Sequence, residues 1–182
     1  MADFFQAKNK TLVFEGGYVN DPQDRGGETI FGISRRFSEP KYPDFWESFD
    51  KIKKSYLPDK KKLESACWDN VSIYNFVAKF YREEFWNLIR GDEIIYQSVA
   101  NSIFDFAVNS GVWKAVTSVQ SILSLLKDGV FGPKTLNAVN NKGEGLSREI
   151  YAERAKFLRK IAERPGQAKF LVGWLRRAEA FA

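Results

Sequence analysis

The stretch that decides how this chain is read runs Glu15-Gly-Gly-Tyr-Val-Asn-Asp-Pro-Gln-Asp-Arg-Gly-Gly-Glu-Thr-Ile-Phe-Gly-Ile33. It interrupts an otherwise helical texture. Upstream, residues 3–14 place Phe4, Ala7, Val13 and Phe14 near helical spacing, and the tandem Gly16-Gly17 reads as a helix stop. After Tyr18, Asn-Asp-Pro and Asp-Arg-Gly-Gly are turn sequences, and the segment to Ile33 has the texture of short strands. A first helix followed by a small hairpin is expected.

The same stretch holds four carboxylates, Glu15, Asp21, Asp24 and Glu28. Cutting a glycosidic bond takes one protonated carboxyl near the leaving oxygen and one ionised group across the sugar from it. Glu15 suits the first role, because a helix end and the neighbouring Phe14 and Tyr18 both disfavour ionisation. Asp24, beside Arg25 and two glycines whose amides can donate, suits the second. Gly16-Gly17 lets the chain leave the helix at once, and Gly26-Gly27 permits positive φ and close approach of a sugar chain. An Asp-Pro turn and a Gly-Gly hairpin with solvated acids would use the same residue types, so types alone leave both readings open.

Composition narrows the chemistry. Of 182 residues, 44% are hydrophobic and 28% charged, as in an ordinary globular protein. There is no histidine, which excludes Ser-His-Asp and Cys-His nucleophiles, a histidine base and His-ligated metals. The single cysteine, Cys67, forms neither an intrachain disulfide nor a multi-thiolate site and suits a small buried position. Acid–base work therefore falls to carboxylates, with no metal or organic cofactor expected. The 28 basic residues against 23 acidic ones suit an anionic partner or simple solubility. The positive charges are scattered without a groove-binding motif, so nucleic acid is not expected as a partner. Residues 1–10 show no Sec-type signal, and no run approaches the ~18 apolar residues of a spanning helix. Synthesis in the cytoplasm without stable membrane insertion is the expectation.

The rest of the chain reads as helices near 44–55, 60–67, 72–89, 92–110, 112–126, 133–140, 145–163 and 166–180. Gly91 closes the third of these, Asp92 is the expected N-cap of the fourth, Gly111 stops it, and Pro133 sits as a first helical residue. The tryptophans suit packing better than sugar platforms. The expected fold is α+β and mainly α, with a part at 1–110 and a helical part at 111–182 packed as one compact monomeric unit.

The string from Glu15 to Ile33 resembles the signature of glycoside hydrolase family 108, a set of phage-encoded and secretion-activator muramidases. The spacing of Glu15, Asp24 and Thr29 is also similar to the triad of phage-type family 24 lysozymes. Tyr81-Arg-Glu-Glu-Phe-Trp86 and Phe104-Asp-Phe-Ala-Val-Asn-Ser-Gly111 resemble two further family segments, and Asp128-Gly-Val-Phe-Gly-Pro-Lys-Thr135 is similar to predicted peptidoglycan-binding segments. The resemblance implies a lysozyme-like fold that cleaves the β-1,4 bond between N-acetylmuramic acid and N-acetylglucosamine. Glu15 would be the general acid, Asp24 would stabilise positive charge or guide water, and Thr29 would assist.

Asn101, Asp105 and Asn109 share one helical face. The resemblance sets that face beneath the cleft, with Asp105 and Asn109 as candidate substrate-binding residues and Asn109 alternatively bracing the hairpin; Tyr18 is a candidate sugar-stacking ring. A solvated polar stripe and a core aromatic are the plainer alternatives. Asp128–Thr135 suits either a loop capped by a Pro-initiated helix or a grip on glycan or stem peptide. The partner implied is the peptidoglycan glycan strand, reached through a holin, a phage particle or an export system. The rivals are a lytic transglycosylase and a non-catalytic wall-binding or phage structural protein. Residues 36–70 form a longer, more basic link than the family pattern has.

Overall fold

The computed structural model of the chain describes residues 1–21 and 26–182. Its compact units are Leu12–Tyr81 and a second assembled from Met1–Thr11 with Arg82–Ala182.

In the unit of Leu12–Tyr81 the expected hairpin is a three-stranded antiparallel sheet of β1 (Val19–Asn20), β2 (Glu28–Ile30) and β3 (Ile33–Ser34), in that order. Thr29 sits opposite Val19 on one side and Ser34 on the other. The third strand exists because Phe31 and Gly32 both take positive φ, 50° and 76°, the turn pattern that matches strand twist. Four helices follow: α2 (Arg35–Ser38), α3 (Pro43–Tyr56), α4 (Lys60–Asp69) and α5 (Val71–Tyr81). Pro43 opens α3 at its first turn, and the Asp59 carboxylate caps α4 by accepting from the Lys62 amide at 3.1 Å.

The long basic link at 36–70 provides much of this unit's core. Phe45, Trp46 and Phe49 of α3 and Leu63 and Cys67 of α4 are buried. Phe45 stacks on Phe76 of α5 with centroids 3.8 Å apart, and the Trp46 indole donates to Ser38 Oγ at 2.8 Å. The lysines of the link lie on the faces these residues leave outward, except Lys53, whose role is described below.

The other unit begins with most of α1 (Phe4–Leu12) and resumes after Tyr81. Here the expected helix over 72–89 is broken. After α5 the chain makes a π turn at Arg82–Trp86 and a 3-10 turn at Asn87–Ile89, stopped by Arg90 in the left-handed region at φ 51°. Gly91 is small because the Trp86 ring lies over it, leaving a Cβ only 2.3 Å from the indole. Asp92 is not a helix cap: it accepts from the Trp86 indole at 2.9 Å inside a 3-10 turn, and α6 (Gln97–Ser110) starts later.

Gly111, at φ 88°, stops α6 as its sequence suggests. There follow α7 (Val112–Ile122), α8 (Pro133–Lys142), α9 (Leu146–Ala162) and α10 (Leu171–Glu179). α6 packs on α7 and α9, and α10 packs on α9. Among the described residues no helix is long and apolar enough to cross a membrane.

Candidate active site

α1 ends at Leu12, and the Glu15 amide donates back to the Leu12 carbonyl at 3.2 Å. Glu15 therefore lies in the turn beyond the helix, half-buried, rather than in its last turn. Its carboxyl is placed by Gly32. A Cβ on Gly32 would stand 2.6 Å from Glu15 Oε2 and 2.6 Å from the Tyr81 hydroxyl oxygen. The two groups face one point above the glycine and are no more than twice that distance apart. The Tyr81 hydroxyl donates to the Phe31 carbonyl at 2.8 Å, tying the end of α5 to the β2–β3 turn. The Phe31 ring in turn stacks on Trp68 of α4, centroids 4.0 Å apart. The β2–β3 turn against which the Glu15 carboxyl lies is thus tied to both α5 and α4.

The chain leaving Glu15 is fixed as well. Glu64 of α4 accepts from the Tyr18 amide at 2.7 Å, and its carboxylate covers Gly17 so closely that a Cβ there would be 1.9 Å away. Gly16 has open space instead, with nothing within 4 Å of a Cβ. Of the tandem glycines, the second is the one in contact, with Glu64, a partner no local pattern reveals.

Tyr18 is 5% exposed, its ring tilted against Phe49 and its hydroxyl donating to Glu28 Oε1 at 2.8 Å. A sugar-stacking role needs an open ring face, and this burial gives Tyr18 a packing role instead. Burial and the Glu28 carboxylate push its phenol above the usual value. Glu28 also pairs with Lys53 at 2.7 Å and Arg35 at 2.9 Å, and both cations reach Asp50. Burial opposes ionisation of Asp50, but Lys53 and Arg35 together hold its carboxyl below the ordinary range. Of the four acids in the motif, Glu28 is therefore a brace between β2 and α3. Thr29 is half-buried in β2, its hydroxyl directed to the Gly27 carbonyl at 3.3 Å. Asp24 lies outside the described residues. No group of three or more potential metal ligands occurs among the described residues.

Residues 8–111 match the glycosyl hydrolase 108 family over more than half of the chain. The chain belongs to this family. Residues 114–179 match a predicted peptidoglycan domain. The SagA structure from Brucella abortus is similar at 28% identity and a TM-score of 0.68, covering 98% of this chain and 90% of that one. No curated protein sequence matches. This glycosyl hydrolase 108 chain is a glycoside hydrolase acting on peptidoglycan, and its mainly helical fold is the lysozyme-like one.

Within the family match, the helical face of α6 is not open. Asp105 is fully buried, accepting from Arg154 at 2.7 Å and from Arg177 at 2.7 Å. Both its oxygens are taken, so Asp105 is an anchor for α9 and α10 and not a substrate contact. Asn109 is exposed, but its Oδ1 accepts from Arg154 at 3.1 Å, and Asn101 accepts from Gln97 at 2.7 Å.

In the peptidoglycan domain, Asp128–Thr135 is organised around the buried Gln120 of α7. The Gln120 amide donates to Asp128, the Val130 carbonyl and Thr135, and its oxygen accepts from the Gly129 amide at 3.1 Å. The Val130 amide and Gln120 hold the Asp128 carboxyl below its usual range. Gly129 takes φ 74° and Pro133 opens α8, so Asp128, Gly129, Pro133 and Thr135 each have a structural use.

Proposed function

We propose that this glycosyl hydrolase 108 chain is an N-acetylmuramidase. It would cleave the β-1,4 bond between N-acetylmuramic acid and N-acetylglucosamine, with Glu15 as general acid. The observation that carries this reading is the Glu15 carboxyl lying against Gly32 beside the Tyr81 hydroxyl, at a β2–β3 turn that Tyr81 and Trp68 anchor. A general acid needs a fixed carboxyl, and the absent side chain of Gly32 leaves the room that the Glu15 carboxyl and the Tyr81 hydroxyl occupy. Glu15 protonates the leaving oxygen, Asp24 stabilises the charge at the anomeric carbon or guides water, and Thr29 assists from β2. Residues 1–110 are the catalytic part and 111–182 the part that holds the wall.

Digestion of purified peptidoglycan by the wild type and by Glu15→Gln, with products identified by mass spectrometry, tests this. Soluble muropeptides with reducing muramic ends are expected from the wild type, and a loss of at least about a hundredfold from Glu15→Gln. Anhydro-muramic ends would make the chain a lytic transglycosylase. Sacculus binding without release would leave it a wall-binding protein.

A further inference from the structure

Away from the Glu15 turn, the outer faces of α7 and α9 carry groups that folding does not use. A cavity of about 350 Å³ is lined by Trp113, Lys114, Thr117, Ser118, Lys127 and Glu153. A second, of about 320 Å³, continues it through Ser121 and Glu153 toward Glu149.

Ser118 is 3% exposed, and its hydroxyl has no hydrogen-bond partner among the described residues. The neighbouring Thr117 hydroxyl, by contrast, returns to the Trp113 carbonyl at 2.8 Å, the usual local solution in a helix. A buried hydroxyl left unpaired is costly unless something else completes it. Neither Lys114 nor Lys127 pairs with a carboxylate among the described residues. Lys114 rests over the Phe157 ring at 4.4 Å, and Glu153 meets only Lys156, loosely, at 3.9 Å.

Trp113 is 66% exposed, yet its ring lies against Gly129, where a Cβ would stand 2.4 Å from the indole. Gly129 of the Gln120-centred loop thereby packs against the Trp113 ring, which lines the groove.

We propose that this groove binds the stem peptide of peptidoglycan. The stem peptide carries free carboxylates for Lys114 and Lys127 and, at its diamino acid, a free amine for Glu153. It also has amide groups for the Ser118 hydroxyl and small methyl side chains for the Trp113 face. An uncharged glycan strand would leave two lysines and a glutamate unmatched in the groove. The proposal rests on the peptidoglycan reading of residues 114–179 but not on catalysis by Glu15.

The test uses the full chain carrying Glu15→Gln, so that glycan probes stay intact. The five tryptophan indole N–H signals are followed by NMR during titration with a synthetic stem pentapeptide containing diaminopimelate, and separately with chitin oligomers, a glycan without carboxylates. The peptide is expected to shift the Trp113 signal, assigned by Trp113→Phe, and the exposed-site variant Lys127→Glu to weaken binding on the order of tenfold. Ser118→Ala is expected to weaken it severalfold with the fold intact. A Trp113 shift driven by glycan and not by peptide overturns the assignment. So does an absent peptide shift, or peptide binding unchanged in Lys127→Glu. Because binding and not cleavage is read, these outcomes are independent of whether the wild type cleaves.

Discussion

Space for a side chain at Gly32 is already occupied by the Glu15 carboxyl and the Tyr81 hydroxyl, and its φ of 76° disfavours any L residue. Gly32→Ala is expected to cost about 1–2 kcal/mol from backbone strain alone, and to displace the Glu15 carboxyl. Its rate of peptidoglycan cleavage should therefore fall well beyond the fraction unfolded, whereas Gly16→Ala, with open space around its Cβ, should keep the rate. Activity measured beside circular-dichroism melting separates the two effects; equal rates for both variants would remove Gly32 from the site. The turn that carries Glu15 was legible because tandem glycines and turn residues mark it locally. Tyr81 was not legible as a neighbour, since its bond to Phe31 spans 50 residues. Cys67 makes a second residue-scale case. It is fully buried, and burial, with Glu64 adding to it, pushes its thiol from 9.0 up to about 11. The folded chain therefore favours the protonated thiol more than the unfolded chain does. That contribution is complete below about pH 9 and is lost as pH rises toward 11. Urea unfolding at pH 8 and pH 10.5 should show a larger loss of stability for the wild type than for Cys67→Ala.

At the scale of elements, the hairpin is held to α3 by charge. Glu28 of β2 is surrounded by Lys53, Arg35 and the Tyr18 hydroxyl, and its side chain is only 10% exposed. Removing one partner from a buried pair costs about 3–5 kcal/mol. Glu28→Gln should cost less, roughly 2–3 kcal/mol, because Asp50 still neutralises both cations and the site is not fully dry. A drop of that size in urea unfolding is expected, with Glu28→Ala falling further; no change would mean that packing alone holds the hairpin. The strands and the starts of α3 and α8 were readable from turn residues and prolines, which act locally. The break after α5 was not: its hydrophobic spacing continues to Ile89, whereas the chain makes a π turn at Arg82–Trp86 whose last residue bonds Asp92. The link at 36–70 looked like an addition to the family pattern, and its aromatic residues place it in the core.

Across the molecule, the family membership and the helical character were legible because ordered motifs recur from Glu15 to Thr135. Burial of charge was not, because it depends on segments far apart in sequence. Asp105 illustrates this. On its helix it belongs to a polar face with Asn101 and Asn109, and only the arginines 49 and 72 residues downstream turn that face into an anchor. Burial pulls the Arg154 guanidinium below its usual value, while Asp105 opposes that shift. In Asp105→Asn the 2%-exposed Arg154 would keep its charge with no carboxylate to meet it. The expected cost is about 3–5 kcal/mol, a large share of the ~5–15 kcal/mol that holds a typical domain folded. α9 and α10 would loosen together, since Arg154 and Arg177 share the one acid. Hydrogen exchange should show lost protection in both helices. If Asp105 instead touched substrate, Asp105→Asn would keep its melting temperature and lose rate. A folded-fraction correction that restores the wild-type rate per folded molecule is the result expected from the anchor.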